Sequence, residues 1–171
     1  MDEADLRVRS DIETYGWHVA KVAGDDKAPP WAFTIGLEHS FEHPEVLVIG
    51  MELELLHGLL NQIGEQVKRG RRFEAGERPE GVLERHPPAF RLALPRWHGA
   101  FVGNAAWFYR EQNFRVLQCF WPDADGHLPW DEAFDPAWRG RQPLLFLDDE
   151  SEALGEPLAQ VLHEEGALQK S

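Results

Sequence analysis

Two β-rich runs separated by a polar insert make up residues 31–51, WAFTIGLEHSFEHPEVLVIGM. The runs at 31–37 and 45–51 contain the β-branched and aromatic residues that favour strands. Upstream, residues 16–23 alternate between the two faces of a strand. Because these three runs follow one another closely, we predict that they form an antiparallel meander.

The clearest helical pattern in the chain follows the third predicted strand. Leu56, Leu60 and Ile63 belong to a set of apolar residues spaced three or four positions apart over residues 52–69, as in an amphipathic helix. Another helix is predicted at residues 2–15, where an acidic start is followed by good helix formers. We expect helices of this kind to pack against the sheet.

The remaining segments complete an α+β pattern. Residues 89–94 and 114–121 have the composition of strands, and the apolar residues 99–110 between them predict a helix. This order of elements predicts an α+β fold, a mostly antiparallel sheet with helices packed on it. A chain of 171 residues can bury a full core in a single domain. We assign the domain to residues 1–140 and treat 141–171 as an acidic C-terminal tail with a short helix.

The formal net charge is −13, and most of it lies towards the C-terminus. Residues 122–171 hold twelve acidic residues against three basic ones, which accounts for −9 of the total. Such a field repels phosphate backbones, so nucleic-acid binding would need a local basic patch. The one dense basic run, residues 68–72, is better explained as a helix C-terminus whose charges complement the helix dipole. We therefore expect no nucleic-acid partner.

The cysteine count indicates a reducing compartment. Cys119 is the single cysteine, so the chain can form neither an intramolecular disulfide nor a cysteine-based zinc cluster. It lies in an apolar predicted strand, where a thiol is a small core residue rather than a nucleophile. No apolar run approaches the length of a membrane span, and the N-terminus is acidic rather than leader-like. We expect a soluble, cytoplasmic protein without a membrane partner.

The insert between the second and third predicted strands is the densest cluster of functional groups. Within it and directly after it, His39, His43 and Glu45 carry the imidazole and carboxylate groups that bind zinc, iron or manganese. However, His39 and His43 share a face only on a helix, and Pro44 favours extended or turn backbone just before it. A loop held by hydrogen bonds is the preferred interpretation, with metal or other ligand contacts as alternatives.

Other candidate groups have simpler structural explanations. The run from Asp123 to Gly126 starts like a calcium loop but lacks its later ligands, which favours a tight turn. Trp121 and Trp130 could form an aromatic wall for a flat ligand, although packing is the commoner role of tryptophan. We expect His18, in a strand, and His57, on the clear helix, to be structural. Phosphate-binding glycine patterns and serine-nucleophile motifs are absent from the sequence.

Several spaced phrases match a known family in the right order. They are Asp11-Ile12, Tyr15-Gly16-Trp17, the run from Ala32 to Leu37, His43-Pro44-Glu45, Leu60-Asn61, Gln118, Trp121-Pro122-Asp123, Gly126, Pro129 and Trp130. Over residues 11–132 the chain resembles the bacterial domain-of-unknown-function family 4262. That family is functionally uncharacterised, so the resemblance implies no mechanism.

The polar residues in these phrases need partners if they are buried. Gly36 within a strand indicates a bulge or the close approach of a ligand, and Thr34 points to the same face. Gln118 lies in the middle of an apolar strand. Such residues either satisfy one another as a structural network or line a pocket, and both alternatives stay open. The candidate ligand-binding residues are Thr34, Gly36, His39, His43, Glu45, Asn61, Gln118, Trp121, Asp123 and Trp130.

Our working hypothesis is that these residues converge in one recess of an accessory module that binds a small molecule or a protein partner. One alternative is a metal-assisted hydrolase that uses His39, His43 and Glu45. Another is a flavin-dependent oxidoreductase, which rests on fold-level analogy alone. An immunity-type partner with an acidic masking tail is a weaker idea. The sequence assigns no catalytic residue, cofactor or oligomeric state.

Overall fold

A computed structural model describes residues 2–110 and 112–168. Its sheet has five strands in the spatial order β1-β2-β3-β5-β4. The first three form the predicted antiparallel meander, while β5 runs parallel to β3 and antiparallel to β4. The α+β prediction is therefore confirmed. The strands are β1 (His18–Val22), β2 (Trp31–Ile35), β3 (Glu45–Ile49), β4 (Ala89–Leu92) and β5 (Val116–Phe120).

Seven α-helices accompany the sheet in the part of the chain that the structure describes. They are α1 (Glu3–Tyr15), α2 (Leu37–Phe41), α3 (Leu53–Lys68), α4 (His98–Phe101), α5 (Gly103–Tyr109), α6 (Glu150–Leu154) and α7 (Leu158–Glu164). α1 starts at a capping box formed by Asp2 and Asp5 and ends at Gly16, whose φ of 106° is left-handed. None of these helices has the length and apolarity needed to cross a bilayer.

Two predictions about helices need correction. The polar insert, which we expected to be a loop held by hydrogen bonds, contains the short helix α2. That helix begins where three backbone N–H groups donate to the side chain of Glu45, a residue that comes after the helix in sequence. The predicted apolar helix at 99–110 is divided at Val102 into α4 and α5.

The helices cover both faces of the sheet. α1 packs on one face, where its Val8 and Ile12 join an apolar cluster with strand residues such as Phe33. α3 packs on the other face, where residues such as Leu60 contact a cluster that includes Trp17. Because β1 is the first strand in the sheet order, it lies at an edge between these two helices.

The C-terminal segment belongs to the same core. Leu145, Leu154, Leu158 and Leu162 are buried in the cluster that contains α1 and the centre of the sheet. The helices α6 and α7 therefore close one face of the fold with apolar side chains. The acidic residues of this segment, such as Glu152, stay at the surface.

The two edges of the sheet differ. The outer side of β4 is covered, because Phe90 exchanges backbone hydrogen bonds with Gly76 and Glu77. Within residues 2–110 and 112–168, no backbone hydrogen bond joins the outer side of β1 to another segment. The outer edge of β1 is therefore unpaired and lies between α1 and α3.

Candidate functional site

Glu45 lies at the start of β3 and is fully buried. Its carboxylate accepts hydrogen bonds from the hydroxyl of Thr34 at 2.8 Å and from the backbone N–H groups of Gly36 at 2.9 Å and Leu37 at 3.0 Å. The N–H of Glu38 and the hydroxyl of Tyr109 also donate to it. We call Thr34, Gly36, Glu45 and Tyr109 the Glu45 network.

The electrostatics of the Glu45 network follow from its burial. Burial raises the pKa of Glu45 to about 7, and the hydrogen bonds from Tyr109, Gly36 and Thr34 oppose a larger rise. Burial and the nearby Glu45 carboxylate raise the pKa of Tyr109 as well. The Tyr109 hydroxyl also accepts the N–H of His39 at 3.1 Å. The network is closed to solvent, and its acceptors are already occupied.

His43 is also fully engaged. Its Nδ1 lies 2.8 Å from the carbonyl oxygen of Pro44, and its Nε2 lies 3.0 Å from the backbone N–H of Phe73. These partners assign the proton to Nδ1 and leave Nε2 as an acceptor. Burial lowers the pKa of His43, which agrees with a neutral ring. The side chain therefore fastens the loop at Phe73 to the start of β3.

The metal-site alternative is not supported by this geometry. His43 has used both ring nitrogens, Glu45 accepts five hydrogen bonds, and His39 is exposed on α2. Among the residues that the structure describes, no three His, Cys, Asp or Glu side chains are grouped so that they could hold a metal ion. In this structure the three residues do not form the metal centre that the hydrolase hypothesis requires.

Gln118 and Trp121 hold the C-terminal segment. The amide of Gln118 donates to the carbonyl of Pro143 at 2.7 Å and accepts the N–H of Leu145 at 3.2 Å. Gln142 exchanges hydrogen bonds with the backbone of Trp121, at 2.9 Å and 3.0 Å. These polar groups therefore serve as anchors for a chain segment that packs on the sheet.

Asp123 and Trp130 organise the loop after β5. The Asp123 carboxylate accepts backbone N–H groups from Asp125, His127 and Asp135 at 2.9 to 3.0 Å, the geometry of a tight turn. Trp130 packs edge-on against Phe120, with ring centroids 5.0 Å apart. The ten candidate residues thus do not meet in one recess, because most of them bond to their own neighbours or to the tail.

Asn61 lies in a different place, which we call the α1–β1–α3 cleft. The cleft follows the unpaired edge of β1 between the two helices and has a volume of about 480 Å³. Its floor is half-buried and its rim is exposed. The lining residues are Arg7, Asp11, Tyr15, Trp17, His18, Val19, Lys21, His57, Asn61 and Glu65.

Two hydrogen-bonded groups form the floor of the cleft. In the first, His18 Nδ1 lies 2.7 Å from an oxygen of Asp11, so α1 fixes the orientation of a ring on β1. In the second, the indole N–H of Trp17 donates to Asn61 Oδ1 at 3.0 Å, and Asn61 Nδ2 lies 3.2 Å from His57 Nε2. Each histidine uses one ring nitrogen in these contacts, and the other nitrogen forms no hydrogen bond with the described residues.

Gly64 allows the second group to form. A Cβ at this position of α3 would lie 2.5 Å from Cε2 of Trp17, closer than any real contact allows. The missing side chain lets the Trp17 indole pack closely against α3, where it reaches Asn61. The sequence of α3 thus provides both the space for the indole and its hydrogen-bond acceptor.

Sequence reasoning missed most of this cleft. It expected His18 and His57 to be structural and took only Asn61 as a candidate. One signal was present, because Asp11, Trp17 and Asn61 all belong to the phrases that carry the family resemblance. Their convergence was hidden, since α1 and α3 lie on opposite faces of the sheet and meet only around its edge strand.

A second cleft lies beside His43. It has a volume of about 410 Å³ and includes Arg72, Leu92 and Arg115 in its lining. Arg115 is paired with Glu38 at 2.6 Å, and Arg72 donates to the carbonyl of Glu42 at 2.9 Å. Glu38 neutralises Arg115, whereas Arg72 uses only one of its N–H donors, so this second cleft also keeps unused donors.

Comparison with known proteins identifies a family but no characterised relative. No curated protein and no solved structure matches the chain. The model of a family described as a domain of unknown function, DUF4262, matches residues 11–135. This range contains the floor of the α1–β1–α3 cleft and the Glu45 network. The chain therefore belongs to the DUF4262 family.

Proposed function

We propose that this protein is an accessory module that binds a small polar molecule in the α1–β1–α3 cleft. The observation that carries this proposal is the unused hydrogen-bonding capacity of the cleft floor. His18 and His57 are half-buried, and each has one ring nitrogen without a partner among residues 2–110 and 112–168. Neither nitrogen is fully buried, so water can reach it in the free protein, and a ligand could take the place of that water.

The size and composition of the cleft support a small ligand. A volume of about 480 Å³ falls within the range of roughly 300–1,000 Å³ that small-molecule sites occupy. Trp17 and Val19 are buried apolar residues of the lining, and the two histidines and Asn61 add polar groups between them. This mixture of apolar surface and a few directed polar groups is typical of binding sites.

The floor is also held in position before any ligand arrives. Asp11 fixes the ring of His18, and the contact with Asn61 fixes the ring of His57. A preorganised site loses less conformational entropy on binding than a mobile one. The same two contacts therefore favour affinity as well as selectivity.

We further propose that the protein works in a reducing cytoplasm and without nucleic acid. Cys119 is a free, buried thiol, which is compatible with a reducing compartment. Arg71 and Arg72, two members of the basic run, donate to the backbone carbonyls of Glu80 and Glu42. These guanidinium groups support local structure, which weakens the case for a phosphate-binding patch.

The indole N–H of Trp17 provides a direct test of the proposal. The chain has seven tryptophans, and a Trp17→Phe variant assigns the Trp17 signal in a ¹H–¹⁵N NMR spectrum. We expect at least one compound in a panel of polar metabolites to shift this signal in a saturable manner. A panel that leaves the Trp17 signal unchanged, or shifts only signals outside the cleft, would overturn the proposal.

Matched variants locate the binding site. His57→Ala removes a group of the cleft floor and should weaken binding of the hit at least about tenfold, the loss of one well-formed polar contact. Arg72→Ala changes the second cleft instead and should leave the affinity unchanged. The reverse pattern would assign the ligand to the cleft beside His43.

A further inference from the structure

We infer that the ligand of the α1–β1–α3 cleft is an anion that carries a carboxylate or a phosphate group. This inference rests on the proposed function and adds the chemical class of the ligand. It comes from the charges that line the cleft, from their partners, and from the charge of the rest of the molecule.

Arg7 and Lys21 are the cationic residues of the rim. Both are exposed, and neither forms an ion pair with a carboxylate of the described residues. The chain has thirty acidic residues against seventeen basic ones, so carboxylates are abundant. Two unpaired cations on the rim of one cleft are therefore available to an incoming anion.

The acidic residues of the lining reduce this attraction only in part. The Asp11 carboxylate is engaged by His18 Nδ1 at 2.7 Å. Glu65 remains as an exposed carboxylate on α3. The lining thus contains two cations and two anions, so the remainder of the chain carries the whole net charge of −13. An anionic ligand would be repelled less at this cleft than at the average surface.

His57 gives the cleft a directed donor. His18 donates its Nδ1–H to Asp11, which leaves its Nε2 as an acceptor. His57 accepts from Asn61 through Nε2, which assigns its proton to Nδ1, a donor with no partner in the described chain. Carboxylate and phosphate oxygens accept bonds of this kind, and charge-assisted ones are the strongest. A cationic ligand would find only Glu65 as an unpaired carboxylate.

Small probes can test the charge of the ligand directly. We would titrate inorganic phosphate, acetate, acetamide and methylammonium into the labelled protein at constant ionic strength and follow the Trp17 indole signal. Phosphate or acetate should shift the signal, whereas acetamide, the neutral analogue of acetate, and methylammonium should bind at least about tenfold more weakly. A response to acetate alone would identify a carboxylate site, and a response to phosphate alone a phosphate site.

Charge-neutralising variants provide the control. Arg7→Gln or Lys21→Gln should each weaken binding of the anion about fivefold, since each removes a rim cation. Arg69→Gln makes the same charge change at an exposed position outside the cleft and should have no effect beyond about twofold. Equal weakening by all three variants would indicate attraction to overall charge and would overturn the inference.

The outcomes also separate this inference from the proposed function. If acetamide or methylammonium shifts the Trp17 signal more than the anions do, the cleft binds a ligand but the anion assignment is wrong. If neither the probes nor the metabolite panel shift this signal, both proposals fail.

Discussion

The Glu45 network and the α1–β1–α3 cleft both contain polar side chains next to the core. They differ in whether those side chains keep polar atoms without a hydrogen-bond partner. In the network, Glu45 accepts five hydrogen bonds and Tyr109 both donates and accepts. In the cleft, His18 and His57 each keep a ring nitrogen without a partner in the described chain. A dense cluster of polar side chains is therefore not by itself a binding site. A ligand needs polar groups that form no hydrogen bond within the protein.

The largest expected effect on the free energy of unfolding comes from replacing Glu45, the acceptor of the Glu45 network. Glu45→Ala would leave two hydroxyls and three backbone N–H groups without their acceptor in a buried place. We expect the free energy of unfolding to fall by about 4 kcal/mol in chemical denaturation. Glu13→Ala, which removes an exposed carboxylate from α1, should change it by less than about 0.5 kcal/mol. Similar losses in the two variants would contradict the role of Glu45.

The next effect concerns pH. The folded pKa of Glu45 is about 7 against an ordinary value of 4.5, so the folded protein holds this proton where the unfolded chain releases it. Glu45 therefore stabilises the fold most below pH 4.5 and loses that contribution as the pH rises to 7. The difference is about 3 kcal/mol, since one pKa unit equals about 1.4 kcal/mol.

This pH effect is best measured against Glu45→Gln, which cannot titrate. The wild type should lose stability relative to this variant between pH 4.5 and 7, with no further change above. His43 and His98, whose pKa values burial lowers, act in the opposite direction but are common to both proteins. Parallel pH profiles for the two proteins would show that Glu45 does not titrate in this range.

A smaller effect tests the bridge made by Tyr109. Tyr109→Phe removes the hydroxyl that donates to Glu45 and accepts from the N–H of His39. We expect a loss of about 2 kcal/mol in the free energy of unfolding, because one hydrogen bond reaches a carboxylate. Tyr15→Phe is the matched control, since the Tyr15 side chain is 56% exposed, and it should lose less than about 0.5 kcal/mol.

The smallest expected effect on stability is that of a substitution at His57. His57→Ala, in the cleft, should change the free energy of unfolding by less than about 1 kcal/mol, because the ring is half-buried and alanine favours a helix. Thermal and chemical denaturation would both measure it. A loss as large as that of Tyr109→Phe would mean that His57 is a structural residue, as the sequence first indicated.

Much of the fold could be predicted because its signals are local. The spacing of Leu56, Leu60 and Ile63 identifies α3, and the alternation around β1 identifies the first strand. α2 could not be predicted in this way. Its first N–H groups are satisfied by Glu45, which lies beyond the helix in sequence, so the decisive contact is tertiary.

The candidate site was predictable only in its residue types. Buried polar residues such as Thr34 and Gln118 were correctly seen to need partners, and the structure supplies those partners within the chain. The geometry around β1 could not be predicted from the sequence. Asp11 and His57 belong to helices on opposite faces of the sheet, and both line the cleft along the edge strand. Hydrophobic periodicity does not reveal such a tertiary contact.

The burial of the C-terminal segment determines where the chain can be truncated for expression. The stretch matched by the family model stops at residue 135, whereas Leu145, Leu158 and Leu162 fill the core beyond it. A fragment trimmed to the matched stretch would expose that apolar face and leave the side-chain amide of Gln118 without its backbone partners. The chain through α7 should therefore unfold at a higher denaturant concentration than a fragment that stops at residue 135.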